Sequence, residues 1–124
     1  IELYADPSMA YLIVRNLISN ALKFTPPGGS VVVSTFLLDG YAAIRVKDQG
    51  IGMSEEAIAK LLSDEPMEST RGTQNEKGTG IGFMLSKHFA KINQGEIRIK
   101  SKLKEGSEFI LLLPLASMVE IQQV

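Results

Sequence analysis

Cysteine and tryptophan are both absent from this 124-residue sequence, and histidine occurs once, at position 88. Without thiols the chain has neither disulfides nor thiolate metal ligands, which fits a reducing compartment. A lone histidine in S-K-H-F-A-K, with no acidic neighbour, supplies no zinc constellation and no Ser–His–acid set, so His88 is expected on the surface or half-buried. Long apolar runs are missing too. No window approaches the roughly 20 residues of a membrane span, and I-E-L-Y-A-D-P lacks the charge-then-apolar order of a signal peptide. Neither sign of charge dominates: 14 Asp+Glu face 13 Lys+Arg. Electrostatics therefore gives no support for nucleic-acid binding or direct membrane contact.

What remains suits one compact domain with one core, read here as residues 1–114 followed by a tail, 115–124. The chain enters an element within its first few residues, as expected of a domain cut from something larger. Asp6-Pro7 is a helix start, since a carboxylate caps free amides and proline suits the first helical position. Met9, Leu12, Ile13, Leu17, Ala21 and Phe24 recur at helical spacing until Pro26-Pro27-Gly28-Gly29. Two strands follow, Ser30 to Leu38 and Tyr41 to Lys47, joined by Asp39-Gly40, a two-residue hairpin signal. Ser54 begins a short helix to about Leu62, with Glu55 and Glu56 in its first turn.

Ser63 to Lys77 has no periodicity, and a loop of that length in a compact domain is usually functional or disordered. Helical spacing resumes from Thr79 to about Asn93, where Gln94-Gly95 stops it. Glu96 to Leu103 and Ser107 to Leu113 read as strands linked by Lys104-Glu105-Gly106, and Pro114 closes the second. Consecutive strands with short turns imply a mainly antiparallel sheet with helices on one face: an α/β two-layer sandwich, not a doubly wound parallel sheet.

Three segments carry chemistry. In N-L-I-S-N-A-L-K-F, Asn20 lies about 40° round the helix from Asn16 and Lys23 about 20° to the other side, giving one polar stripe. Amide oxygens are hard neutral donors suited to Mg²⁺, which takes one or two protein ligands besides phosphates and water. Lys23 would then meet phosphate oxygens. In D-Q-G-I-G, a strand ends at Asp48, and two glycines let the backbone turn and approach a ligand. A carboxylate there can accept a hydrogen bond from an exocyclic amine such as that of adenine; alone, the pentapeptide reads equally well as an ordinary turn. In G-T-G-I-G, glycines entering a helix offer bare N–H groups and the positive end of a dipole to an anion, with Lys77 and Arg71 adding charge. A Walker A loop is excluded, because Gly72 to Thr79 reads G-x-x-x-x-K-G-T. A dinucleotide G-x-G-x-x-G is excluded because Leu85 stands where the last glycine would be.

These segments, in this order and spacing, resemble the asparagine box and two glycine boxes of the ATP-binding catalytic domain of bacterial sensor histidine kinases. That superfamily also takes in gyrase, heat-shock chaperone and mismatch-repair ATPases. The resemblance runs from A-D-P-S to about Pro114. It implies the Bergerat (GHKL) fold, a mixed, mainly antiparallel sheet under three helices, with ATP held between the helices and a movable lid. It further implies that Asn20 coordinates Mg²⁺ with Asn16 assisting, and that Lys23 contacts phosphate. Phe24 would lie near the adenine or ribose, and Asp48 would bond the adenine amino group in a pocket shaped by Gly50 and Gly52. Lys77, Gly78, Thr79, Gly80 and Gly82 would surround the phosphates.

Hydrolysing members of the superfamily resemble one another in a glutamate one turn before the metal-binding asparagine. Here that position is Asn16, so the implied chemistry is γ-phosphoryl transfer to a protein histidine, which requires positioning and charge neutralisation more than a base. The acceptor histidine of the family, on an upstream dimerisation helix, is absent from this sequence. The implied partners are therefore the dimerisation and phosphoacceptor helices of the same kinase, and a response regulator through the full-length protein. The isolated domain would be monomeric, the parent a homodimer, and the domain cytoplasmic. The L-F-E-P-F typical of the family's lid is replaced by Leu61-Leu62-Ser63-Asp64-Glu65-Pro66-Met67, while Ser69 to Gly80 matches another lid form of the family. Two other readings stay open: a serine kinase of the anti-sigma type, and a degenerate nucleotide-binding module used for docking.

Overall fold

The computed structural model describes residues 5–63 and 77–115, with 77–81 described through their backbone. Helix α1 (Pro7–Phe24) starts as its sequence requires: the Asp6 carboxylate accepts the Met9 N–H at 3.0 Å. A cap of this kind is worth about 1 kcal/mol. The Asp6 N–H in turn donates to Asn93 Oδ1 at 2.7 Å, tying the head of α1 to a residue 87 positions away. Ile13, Leu17 and Ala21 form its buried stripe. At the other end the Thr25 hydroxyl donates to Ala21 O at 2.6 Å before the prolines stop the helix.

Strands β1 (Val31–Leu38) and β2 (Tyr41–Asp48) form the expected hairpin. Asp39 (φ 48°) and Gly40 (φ 84°) both take positive φ, as a two-residue turn of the primed type demands. Helix α2 (Glu55–Leu62) is capped by Ser54, whose hydroxyl accepts the Ala57 N–H at 3.1 Å. Helix α3 (Lys77–Ile92) is already helical at Lys77, ahead of the expected Thr79, so the glycine box lies within the helix. Glycine in a helix costs about 1 kcal/mol, which the buried face carrying Phe83 and Ala90 can offset. The helix ends in a Schellman motif: Gly95 N–H donates to Ala90 O at 2.8 Å and Gln94 N–H to Lys91 O at 3.0 Å. The left-handed residue is Gln94 (φ 61°), not the glycine after it. Gly95 is needed because a Cβ there would overlap Leu112 O.

Strands β3 (Glu96–Lys102) and β4 (Gly106–Pro114) join β1 and β2 in a four-stranded sheet of order β1-β2-β4-β3, antiparallel among the described strands. The expected two-layer arrangement holds. Of the mixed pairing implied by resemblance, the described strands show only the antiparallel part. Strands β2 and β4 are central, paired from Tyr41↔Pro114 to Asp48↔Ser107. Alternation sends Val46, Leu111, Leu113 and Ile97 towards the helices, where they meet Ile13, Leu17, Ala21, Phe83 and Ala90 in one core. Phe83 meets Phe109 edge to face, ring centroids 5.7 Å apart, a geometry worth about 1 kcal/mol beyond burial. On the opposite face Ala43, Ile110 and Leu112 form a smaller buried cluster beside Leu38 and Tyr41.

The two outer strands among those described differ. Strand β3 carries Glu96, Arg98, Lys100 and Lys102; β1 carries no charge at all, with Val32 55%, Val33 46% and Leu37 58% exposed. Among the described residues no helix is long and apolar enough to cross a membrane.

Candidate functional site

The register that pairs Asp48 with Ser107 puts this carboxylate at the end of the central strands, on the helix-facing side. It is 5% exposed. One oxygen, Oδ1, accepts the Gly50 N–H at 2.8 Å and the Ser107 N–H at 3.2 Å. The second oxygen has no hydrogen-bond donor among the described residues. A buried carboxylate so held is oriented and half-satisfied, ready to accept from a donor brought by a ligand.

The loop after Asp48 is fastened to the β3–β4 turn. Lys104 N–H donates to Ile51 O at 2.7 Å, and Met53 N–H donates to Ser101 Oγ at 2.8 Å. Ser101 Oγ lies 2.7 Å from Ser107 Oγ and 2.9 Å from Gly106 O. Gly52 (φ 73°) turns in the left-handed region, and a Cβ there would overlap Lys102 O. Gly106 (φ 90°) sits in the same way against Asp48 O. Gly52 thus serves the docking of the loop on the sheet end, whereas Gly50 faces α1: a Cβ on Gly50 would lie 2.6 Å from Phe24 O.

Helix α1 forms the shared wall. Near its middle, Asn16 Nδ2 donates to Gly82 O at 3.4 Å and to Ser86 Oγ at 3.3 Å, both on α3. At its end, Phe24 O abuts Gly50. Eight residues at 1.5 Å each separate these contacts by about 12 Å. The asparagine box therefore touches the first glycine box at one end and the second at the other, with Asn20 and Lys23 between. Asn20 is half-buried and Lys23 exposed, and neither has a hydrogen bond or ion pair among the described residues. The amide of Asn16 turns its nitrogen to α3, so its oxygen keeps its lone pairs; with Asn20 it offers neutral oxygen donors that fit Mg²⁺.

Gly82 is brought to Asn16, but a Cβ there would meet the carboxamide at 3.8 Å, an ordinary contact. The backbone of Lys77, Gly78, Thr79 and Gly80 is helical, and their side chains lie outside the described residues, as do Arg71 and the segment 64–76. Before that segment, the Ser63 carbonyl accepts from Lys87 Nζ at 2.5 Å. His88 is exposed, with its ring tilted on Phe89, as its sequence context indicated.

Sequence reasoning missed Ser101, Gly106, Ser107 and Ser86. A signal for Ser107 exists: in β4 the helix-facing positions run Ser107, Phe109, Leu111, Leu113, so a hydroxyl stands where the period of two calls for an apolar side chain.

The sequence profile of the family described as histidine kinase-, DNA gyrase B-, and HSP90-like ATPase matches residues 5–117. Over 122 residues, 96% of this chain, the sequence is 43% identical to the histidine protein kinase DivJ of Caulobacter vibrioides, of whose length the match covers 20%. Among solved structures, the mycobacterial sensor histidine kinase MprB superposes with a TM-score of 0.72 at 26% identity, covering 90% of this chain and 73% of that one. Full-length ShkA in complex with AMPPNP superposes with a TM-score of 0.73 at 25% identity, covering 92% of this chain and 23% of that one. The chain thus spans a minor part of the curated kinase it matches.

Proposed function

Since this chain belongs to the histidine kinase-, DNA gyrase B- and HSP90-like ATPases, as the ATP-binding catalytic domain found in sensor histidine kinases, we propose that it binds Mg-ATP along α1 and transfers the γ-phosphoryl group to a histidine on a separate dimerisation domain. The observation that carries the reading is Asp48, a buried carboxylate with one oxygen fixed by two backbone N–H groups and the other without a donor among the described residues. An adenine amino group supplies that donor. The ribose and phosphates then run back along α1 past Phe24, Lys23 and Asn20 to Asn16 and Gly82, with Gly78, Thr79, Gly80 and Lys77 at the head of α3. The AMPPNP bound by ShkA agrees with this class of ligand.

When bound, Mg²⁺ neutralises phosphate charge; Asn20 and Asn16 would hold it through their amide oxygens. Lys23 adds positive charge beside the phosphates. Asn16 accepts no proton near neutral pH, so water is not activated there and transfer is favoured over hydrolysis. In the transfer, the bond from the γ-phosphorus to the bridging oxygen breaks, leaving ADP. A bond to an imidazole nitrogen forms, and the displaced proton passes to solvent. The acceptor lies outside this sequence, on the dimerisation helices of the parent kinase, from which a response regulator would take the phosphoryl group. In this reading the isolated domain is a cytoplasmic monomer and the parent a homodimer.

The test is incubation of the chain with labelled ATP, Mg²⁺ and a dimerisation helix bearing the acceptor. Acid-labile label on histidine is expected. Acid-stable label on serine would move the assignment to a serine kinase of the anti-sigma type, and no nucleotide binding at all would leave a docking module.

A further inference from the structure

Ser86 occupies a core position of α3. Phe83, Ser86 and Ala90 share one face, at 1%, 0% and 0% exposure, so the helical period calls for an apolar side chain where this hydroxyl stands. Burying a hydroxyl without a partner costs about 1–3 kcal/mol. Its partner here comes from another helix: Asn16 Nδ2, at 3.3 Å. The same nitrogen reaches Gly82 O at 3.4 Å. A carbonyl oxygen only accepts, so an Asn16 amide turned over would set oxygen against oxygen at Gly82, and the hydroxyl of Ser86 gives the NH₂ group its second acceptor. One end of the carboxamide is thereby fixed on α3. The other end, Oδ1, has no partner among the described residues.

We infer that Ser86 is a positioning residue that holds the Asn16 carboxamide with its oxygen presented to the metal–phosphate group. The inference rests on the reading of Asn16 as part of that site. Groups one step behind a metal's ligands commonly change its affinity by about 10–100-fold when removed. Alanine fills a buried helical position with no polar atom to satisfy, so Ser86→Ala keeps the core closed while leaving the amide nitrogen only its 3.4 Å bond to Gly82 O.

The experiment is calorimetric titration of the whole chain with ATP, in Mg²⁺ and in excess chelator, for the parent, Ser86→Ala, Ser86→Thr and Asn16→Ala. Ser86→Ala should lose about tenfold of the Mg²⁺-dependent gain in affinity, with metal-free binding and melting temperature unchanged. Ser86→Thr, which keeps the hydroxyl, should recover most of the gain. In the Asn16→Ala background, Ser86→Ala should change nothing further. Equal loss with and without Mg²⁺, or no loss, would overturn the positioning role while leaving the site intact. If Ser86→Ala unfolds, failure of the threonine variant to restore the Mg²⁺-dependent gain would overturn it instead. A parent chain with no Mg²⁺-dependent binding would remove the reading of the site and this role with it.

Discussion

Replacing Asp48 in two ways separates what the carboxylate does for the fold from what it does for a ligand. Its Oδ1 satisfies the N–H groups of Gly50 and Ser107 at 2.8 and 3.2 Å. Alanine orphans both. Each buried, unpaired donor costs about 1–3 kcal/mol, so Asp48→Ala should lose roughly 3 kcal/mol after partial relaxation. That is a large part of the 5–15 kcal/mol typical of a domain, and it should lower the melting temperature by roughly 10 °C. Asparagine is nearly the same shape, and its oxygen can keep both bonds, so Asp48→Asn should stay within about 1 kcal/mol of the parent. Its NH₂, however, replaces the oxygen that the proposed function assigns to the adenine amino group and would set donor against donor. Losing a charge-assisted bond is worth about 2 kcal/mol, a drop of roughly 30-fold in ATP affinity. Thermal melts and calorimetry on the two variants check both numbers, with GTP as the control that should lose less. Two results would refute the reasoning: an asparagine variant as unstable as the alanine one, or an asparagine variant that binds ATP as tightly as the parent.

Asn20→Ala should abolish most of the Mg²⁺ dependence of nucleotide binding while leaving the melting temperature within about 2 °C, because its side chain has no partner among the described residues; titrations with and without chelator measure this. Gly52→Ala should destabilise by 2 kcal/mol or more, on the order of a left-handed strain plus a clash with the Lys102 carbonyl, and should loosen the 48–54 loop. Urea unfolding gives the first quantity and amide exchange at Met53 the second.

Local chemistry made much of this fold legible. Asp39-Gly40 specifies a turn whose twist suits a hairpin, and Asp6-Pro7 specifies a helix start, because each acts over a few residues. The polar stripe of Asn16, Asn20 and Lys23 was readable for the same reason: a fixed angular step places side chains without any knowledge of the rest. What escaped was assembled by pairing. Ser107 reaches Asp48 across 59 positions, and Ser101 reaches Met53 across 48, contacts that exist only once the order β1-β2-β4-β3 is known. The stop at Gln94-Gly95 was legible, but its division of labour was not. The left-handed turn falls on glutamine, and the glycine answers to a carbonyl of β4 that no local rule reveals. Ser86 was passed over for the opposite reason, since a single hydroxyl on an apolar helical face says nothing until its partner on α1 is seen.

The uneven rims of the sheet carry a practical consequence. A stray strand approaching β3 meets alternating side chains of Glu96, Arg98, Lys100 and Lys102 that resist being stripped of water, whereas one approaching β1 meets exposed valines and leucine on a strand with no partner but β2 among the described residues. Concentrated stocks of this chain should therefore coalesce along the Val31–Leu38 rim first, and a single lysine substituted for Val33 would be the simplest way to keep such stocks clear.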